Sequence, residues 1–231
     1  AIADPRAITT GPDGNLWTAS ADKAFKIPPA NPGGFTPYPA TGLSGARWIT
    51  ASSDGYLWVA DFGVPQAVRI ATDGTGTVFP ALGGLQGIAG GAAGQVAYSQ
   101  QGAAPYYVGV LTPPGPEKTA PMPGADPFGV TYGADGAYWV ARFATNNVAR
   151  VTADAQSSTI ALPANSGPRQ IAAGPNDTVW VTLDNTDKIA RITGVTRNLD
   201  GQVKRYDYAC VAPNDPDVVS GKLPRLAPNG E

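Results

Sequence analysis

The chain has 231 residues, with 16 basic against 18 acidic side chains for a net charge of −2, no histidine, and a single cysteine, Cys210. No basic run offers a surface for phosphates, which argues against nucleic acid. No apolar stretch reaches the roughly 18 residues of a membrane-spanning helix, and a lone cysteine cannot close an intrachain disulfide. The 29 glycines and 23 prolines fall between short apolar runs, which is the composition of many short strands and not of disorder.

Five segments share one pattern: residues 5–17, 46–58, 85–97, 127–139 and 168–180. In each, a β-branched residue (Ile8, Ile49, Ile88, Val130, Ile171) stands nine positions before an anchor (Trp17, Trp58, Ala97, Trp139, Trp180). Successive anchors are 41, 39, 42 and 41 residues apart, the length of one four-stranded propeller blade. The expected fold is all-β, a β-propeller of four-stranded blades with repeats near 5–40, 46–82, 85–123, 127–163 and 168–208. It is either a closed five-bladed ring or part of a six- or seven-bladed one. Residues 209–231 are expected as an extended tail, because their prolines forbid a regular helix.

Within a repeat, the segment around the β-branched residue forms the inner strand. Turns at 11–14 and 133–136 carry Asp-Gly, a hairpin signal because both residues tolerate positive φ. Second strands follow at 16–19 and 138–141, and third strands at 25–27, 68–70, 108–110, 148–151 and 189–192. Outer strands close the repeats at 36–39, 78–80 and 160–163, where proline suits an edge, and at 203–208 in the last. Asp73-Gly, Asp200-Gly and the glycosylation-like Asn176-Asp177-Thr178 read as turns. The tryptophans, flanked by Leu16, Val59, Val140 and Val181, read as fillers of the wedge between adjacent sheets and not as a sugar-stacking array. Ala97 followed by Tyr98 requires another filling, so the third blade is expected to pack worst.

Two sets of side chains are expected together at the mouth of the central channel. One begins each inner strand (Arg6, Arg47, Gln86, Phe128, Arg169); the other ends its antiparallel neighbour (Ser20, Asp61, Gln100, Arg142, Leu183). The candidate ligand-binding residues are Arg6, Arg47, Asp61, Gln86, Gln100, Phe128, Arg142 and Arg169. Guanidinium groups grip carboxylate or phosphate bidentately; the alternative is that each arginine pairs with a local carboxylate such as Asp61, Asp22 or Asp184, or reaches solvent. No metal site is assigned, since a divalent cation needs several oxygen ligands and only Asp61 in the two sets is acidic.

The stretches 5–17, 127–140 and 168–181, the last with Asp187 to Ile192, follow a pattern of the form Pro-x-Gly-Ile-x-x-Gly-Pro-Asp-Gly-x-Leu-Trp and then Asn-Lys-Ile-x-Arg-Ile. This resembles the streptogramin B lyase (virginiamycin B lyase) family. The resemblance implies a propeller whose catalytic histidine and glutamate lie on the channel-mouth face with a bound magnesium ion. This chain has no histidine, the side chain whose ordinary pKa suits proton abstraction near neutral pH. No catalytic residue or cofactor is therefore carried over. The expected function is a non-catalytic, exported binding or interaction platform for a small anionic ligand or a protein partner. A lyase-type enzyme with a rebuilt site and a structural component of an extracellular assembly are the alternatives. A secreted or periplasmic location is expected because the sequence starts at Ala1, like a product cut after a signal peptide. The oligomeric state is left open.

Overall fold

Alternating side chains make each strand two-faced, and short turns force consecutive strands into antiparallel neighbours. A computed structural model describes residues 1–39, 42–102, 104–193 and 207–211, and in it every repeat is a four-stranded meander. Blade one comprises β1 (Ala7–Thr10), β2 (Leu16–Ser20), β3 (Lys23–Ile27) and β4 (Thr36–Tyr38); blade two β5 (Ala46–Ala51), β6 (Leu57–Asp61), β7 (Gln66–Ile70) and β8 (Gly76–Pro80). Blade three has β9 (Gly84–Gly90), β10 (Val96–Gln101), β11 (Tyr107–Leu111) and β12 (Lys118–Pro121); blade four β13 (Pro127–Tyr132), β14 (Tyr138–Arg142), β15 (Asn147–Val151) and β16 (Ser157–Ala161). Blade five has β17 (Pro168–Gly174), β18 (Thr178–Leu183), β19 (Lys188–Thr193) and β20 (Asp207–Val211). Within each blade the strands pair in chain order. Inner strands of successive blades pack side by side, β1 on β5, β5 on β9, β9 on β13 and β13 on β17, while β17 and β1 make no comparable contact. This packing order is consistent with a partial ring.

Two sequence expectations shift. The described part of the last outer strand is Asp207–Val211, which overlaps the expected 203–208 and carries the strand, with Cys210, beyond 208; residues 194–206 and 212–231 lie outside the described residues. The Asp-Gly turns also differ from a two-residue hairpin. In blades one, two and four only the glycine (Gly14, Gly55, Gly136) has positive φ, following a β-turn such as Gly14 N–H to Gly11 O at 3.0 Å. Blades three and five have two such residues, Ala93 with Gly94 and Asn176 with Asp177.

The register explains why the anchors are buried. Trp17, Trp58 and Trp139 are fully buried and each faces a cation on the third strand: Lys26, Arg69 and Arg150. The turn aspartate clamps the two together. Asp13 accepts the Trp17 indole N–H at 3.0 Å and Lys26 at 2.7 Å. Asp135 accepts Trp139 at 3.1 Å and Arg150 at 2.5 Å. In blade two the ion pair opens to 3.9 Å and Trp58 Nε1 is left unpartnered. Blade five has Asn176 in place of the aspartate, and Trp180 turns to Thr178 Oγ1 at 3.0 Å. Blade three has lost the whole set, with Ala93, Ala97 and Val110 at the three positions. Blade three alone lacks the ring, and it lacks both charges as well.

The wedge at Ala97 is nonetheless closed. Its core holds Ala97, Met122, Val140 and Tyr138, with Tyr132 packed against it. Tyr138 occupies the position that is Leu16, Leu57, Val96 or Val179 elsewhere, so a ring from blade four replaces the ring missing from blade three. Gly91 makes the space: a Cβ there would overlap the Tyr138 hydroxyl, as one at Gly11, Gly133 or Gly174 would overlap its own blade's indole. Tyr98, on the other face of β10, is buried beside Trp58. The looser third blade expected from Ala97 is not seen at this wedge.

Candidate functional site at the channel mouth

The inner strands of blades two to five share a defect at their start. Paired residues run Ala46 with Asp61 and then Trp48 with Ala60, skipping Arg47; Gln86 is skipped in β9. Two residues are skipped in β13 (Phe128, Gly129) and in β17 (Arg169, Gln170). These are β-bulges, which bend the strand and re-aim a side chain. A one-residue slip moves a side chain to the other face, so Arg47, Gln86, Phe128 and Arg169 part company with the strand-end residues expected beside them. Blade one pairs without a bulge, and Arg6 precedes its first strand.

The second expected set is consequently buried: Ser20, Asp61, Gln100, Arg142 and Leu183 are each at most 6% exposed. Four of the five take polar partners within their own blade, chiefly the chain entering it. The Ser20 hydroxyl donates to Ala3 O. Asp61 accepts from Ser44 N at 2.9 Å, Gln66 Nε2 at 3.1 Å, Gly63 N at 2.9 Å and Val64 N at 3.3 Å. Gln100 Nε2 donates to Glu117 Oε1 at 3.3 Å, and Arg142 Nη2 to Pro123 O at 3.0 Å. Asp61 is the one carboxylate of the two sets, and backbone and amide N–H groups engage both of its oxygens. The residues present therefore do not fit a magnesium ion, which wants free oxygen ligands.

The four arginines differ in their surroundings. Arg142 is buried, and Arg6 pairs with Asp4 at 2.8 Å. Arg47 and Arg169 remain on the bulged face, each with its guanidinium carbon over a phenyl ring: that of Arg47 lies 4.5 Å from the Phe62 centroid and that of Arg169 4.8 Å from that of Phe128. Phe128 meets Phe143 edge-on at 5.7 Å and 62°. Arg169 also bonds Asp184 at 3.0 Å, leaving its side chain 47% exposed. Burial raises the Asp126 carboxyl above the ordinary range, while Arg169 nearby draws it down. Phe62 and Phe143 were not anticipated. Their signal was available, since each directly follows the strand-end residue of its repeat (Asp61, Arg142).

Chemically, this surface offers charge-assisted donors and apolar ring faces but no histidine. No curated protein matches the chain. Among solved structures, a streptogramin B lyase matches with a TM-score of 0.79 at 23% identity, over 93% of this chain and 70% of that one. Selenomethionine-substituted virginiamycin B lyase from Staphylococcus aureus matches at 0.78 and 23%, over 94% and 72%. A catalytically inactive histidine-to-alanine form of that enzyme with quinupristin matches at 0.77 and 23%, over 93% and 71%. At this identity these likenesses show the propeller fold. The sequence profile described as the virginiamycin B lyase family matches residues 43–213, about three quarters of the 231 residues, and the chain belongs to that family.

Proposed function

We propose that the channel-mouth face binds a small anionic ligand with a flat apolar body, and that it does so without lyase turnover. The observation that carries this reading is the pair of bulge-borne arginines stacked on rings, Arg47 on Phe62 and Arg169 on Phe128. A stacked guanidinium has lost part of its rotamer freedom before any ligand arrives, so less is lost on binding. Its edge N–H groups can still take a carboxylate while the neighbouring rings cover an apolar body. The absence of histidine supports the non-catalytic half. One relative is described as inactive once a histidine is replaced, and this chain has none to serve as the base.

The test is thermal unfolding with phthalate as probe at matched ionic strength, since screening alone alters charge effects. A ligand at a hundredfold excess over Kd stabilises by ~2.7 kcal/mol, or roughly 5–10 °C for a domain of this size. The rise should vanish in Arg47→Ala plus Arg169→Ala. An identical response of parent and double variant defeats the binding reading, and linearisation of a streptogramin B substrate above background favours the lyase reading instead.

A further inference from the structure

In blades one to five the residue just before Ser20, Asp61, Gln100, Arg142 and Leu183 is Ala19, Ala60, Ser99, Ala141 and Thr182. Three blades form with alanine at this position, so a blade does not require a hydroxyl there. Ser99 is fully buried, and its hydroxyl both accepts and donates. It accepts the N–H of Gly87, its partner across the β9 and β10 ladder, at 3.0 Å. It donates across the blade boundary to the carbonyl of Phe128. In blade five Thr182 Oγ1 likewise accepts the N–H of Gln170 at 2.9 Å, one of the two residues that the β17 bulge takes out of its ladder.

Phe128 is one of the two residues that the β13 bulge takes out of register with β14, so the ladder of its own blade does not set its position. Blade three does. A Cβ at Gly87 would lie 2.6 Å from Phe128 O, so the glycine permits the approach that the Ser99 hydroxyl then fixes. On the other side, a Cβ at Gly129 would lie 3.0 Å from Arg169 O, which shows how closely the bulge is pressed to the strand carrying Arg169. The Phe128 ring lies under the Arg169 guanidinium. Backbone, hydroxyl, ring and cation thus form one line of contacts from blade three to blade five. Arg47 holds the Phe128 position in blade two, and the blade before it has Ala19 where blade three has Ser99, so the same tie is not available there.

We infer that Ser99 is a positioning residue for the Arg169 half of the channel-mouth site: its hydroxyl fixes the Phe128 backbone, and through it the ring beneath the guanidinium. Its effect on binding rests on the channel-mouth reading, whereas its effect on the ring and the cation does not.

Two measurements separate the inference from that reading. Without ligand, proton NMR of the arginine Nε–H groups reports the geometry, because a proton over a ring face is shielded. Ser99→Ala should move the Arg169 signal toward its value in Phe128→Leu and leave the Arg47 signal in place. Ser99→Thr, the residue type of blade five, should keep the parent signal. Ser99→Cys, close in size with a weaker donor, should lie between and serves if the alanine variant does not fold. With phthalate, Ser99→Ala should raise Kd about three- to tenfold, the worth of one hydrogen bond. That loss should disappear in an Arg169→Ala background and persist in Arg47→Ala, a pattern that general loosening of the fold does not produce. Circular dichroism confirms the fold of each variant. A parent that binds no phthalate while the Arg169 signal moves as expected defeats the channel-mouth reading and leaves the positioning role standing. An Arg169 signal that ignores the loss of the hydroxyl, or equal shifts at Arg47 and Arg169, overturns the inference.

Discussion

Replacing Trp139 by alanine separates a wedge-filling role from a surface one. The side chain is fully buried, and truncating a core aromatic costs ~3–5 kcal/mol. The indole N–H also leaves Asp135, itself only 3% exposed. That carboxylate keeps Arg150 at 2.5 Å and Ala137 N at 3.2 Å, so the lost bond adds ~1 kcal/mol and not the full penalty of an unpaired charge. The expected loss of ~4–6 kcal/mol is a large part of a typical total of ~5–15 kcal/mol. Trp180 provides the internal control, since it holds the same repeat position but is half-exposed; Trp180→Ala should cost about half as much, ~1–3 kcal/mol. Both are measured by urea unfolding at constant m. Equal losses, or an unchanged midpoint for Trp139→Ala, would refute the wedge assignment.

Ala97→Trp alone should destabilise by ~1–3 kcal/mol through overpacking against Tyr138. Adding Tyr138→Leu should recover most of that loss, which a double-mutant cycle in urea reads as favourable coupling; additive losses would mean the two positions do not share one space. Asp13 should contribute acid sensitivity: burial alone would raise its carboxyl, but bonds from Lys26, Trp17 and Asn15 outweigh that and hold it at about 2. Stability from a depressed carboxyl is complete above the ordinary value of 3.8 and is lost as pH falls toward about 2. The parent should therefore lose stability faster than Asp13→Asn across that window. Glu117 has the opposite sign: burial raises its carboxyl, with the Tyr98 hydroxyl bond pulling it partly back. The parent should gain stability as pH falls through that raised value, while Glu117→Gln should be more stable at neutral pH and lack the gain. Parallel pH profiles for parent and variant would remove either carboxyl from the argument.

Strand positions were read well where the signal was local. The five repeats, their third strands and the burial of Trp17, Trp58 and Trp139 follow from period-two alternation and turn residues, which act within a few positions. The last outer strand was read to end at 208 but runs to Val211, because no turn residue marks its end before Pro213. The candidate face was read only in part. Arg47, Gln86, Phe128 and Arg169 were named, but they were grouped with Asp61, Gln100 and Arg142, which the fold buries. The bulges that separate the two sets leave no mark in one strand's sequence, because a bulge is a mismatch between two strands. The Asp-Trp-Lys/Arg clamp was legible and overlooked: its three members vanish together at Ala93, Ala97 and Val110.

By itself, the sequence determined the number of repeats, the blade length, the family and the absence of histidine, because each is a property of residue order or content. Only the tertiary structure decided which side chains meet. Tyr138 fills the space left by Ala97 from 41 positions away, and Asp61 is consumed by backbone donors. It also decided that Trp58, aligned with Trp17 and Trp139, leaves its indole N–H without a partner. Burial in a propeller is conferred by the adjacent blade, and a residue pattern written within one blade does not record which side chains that neighbour brings.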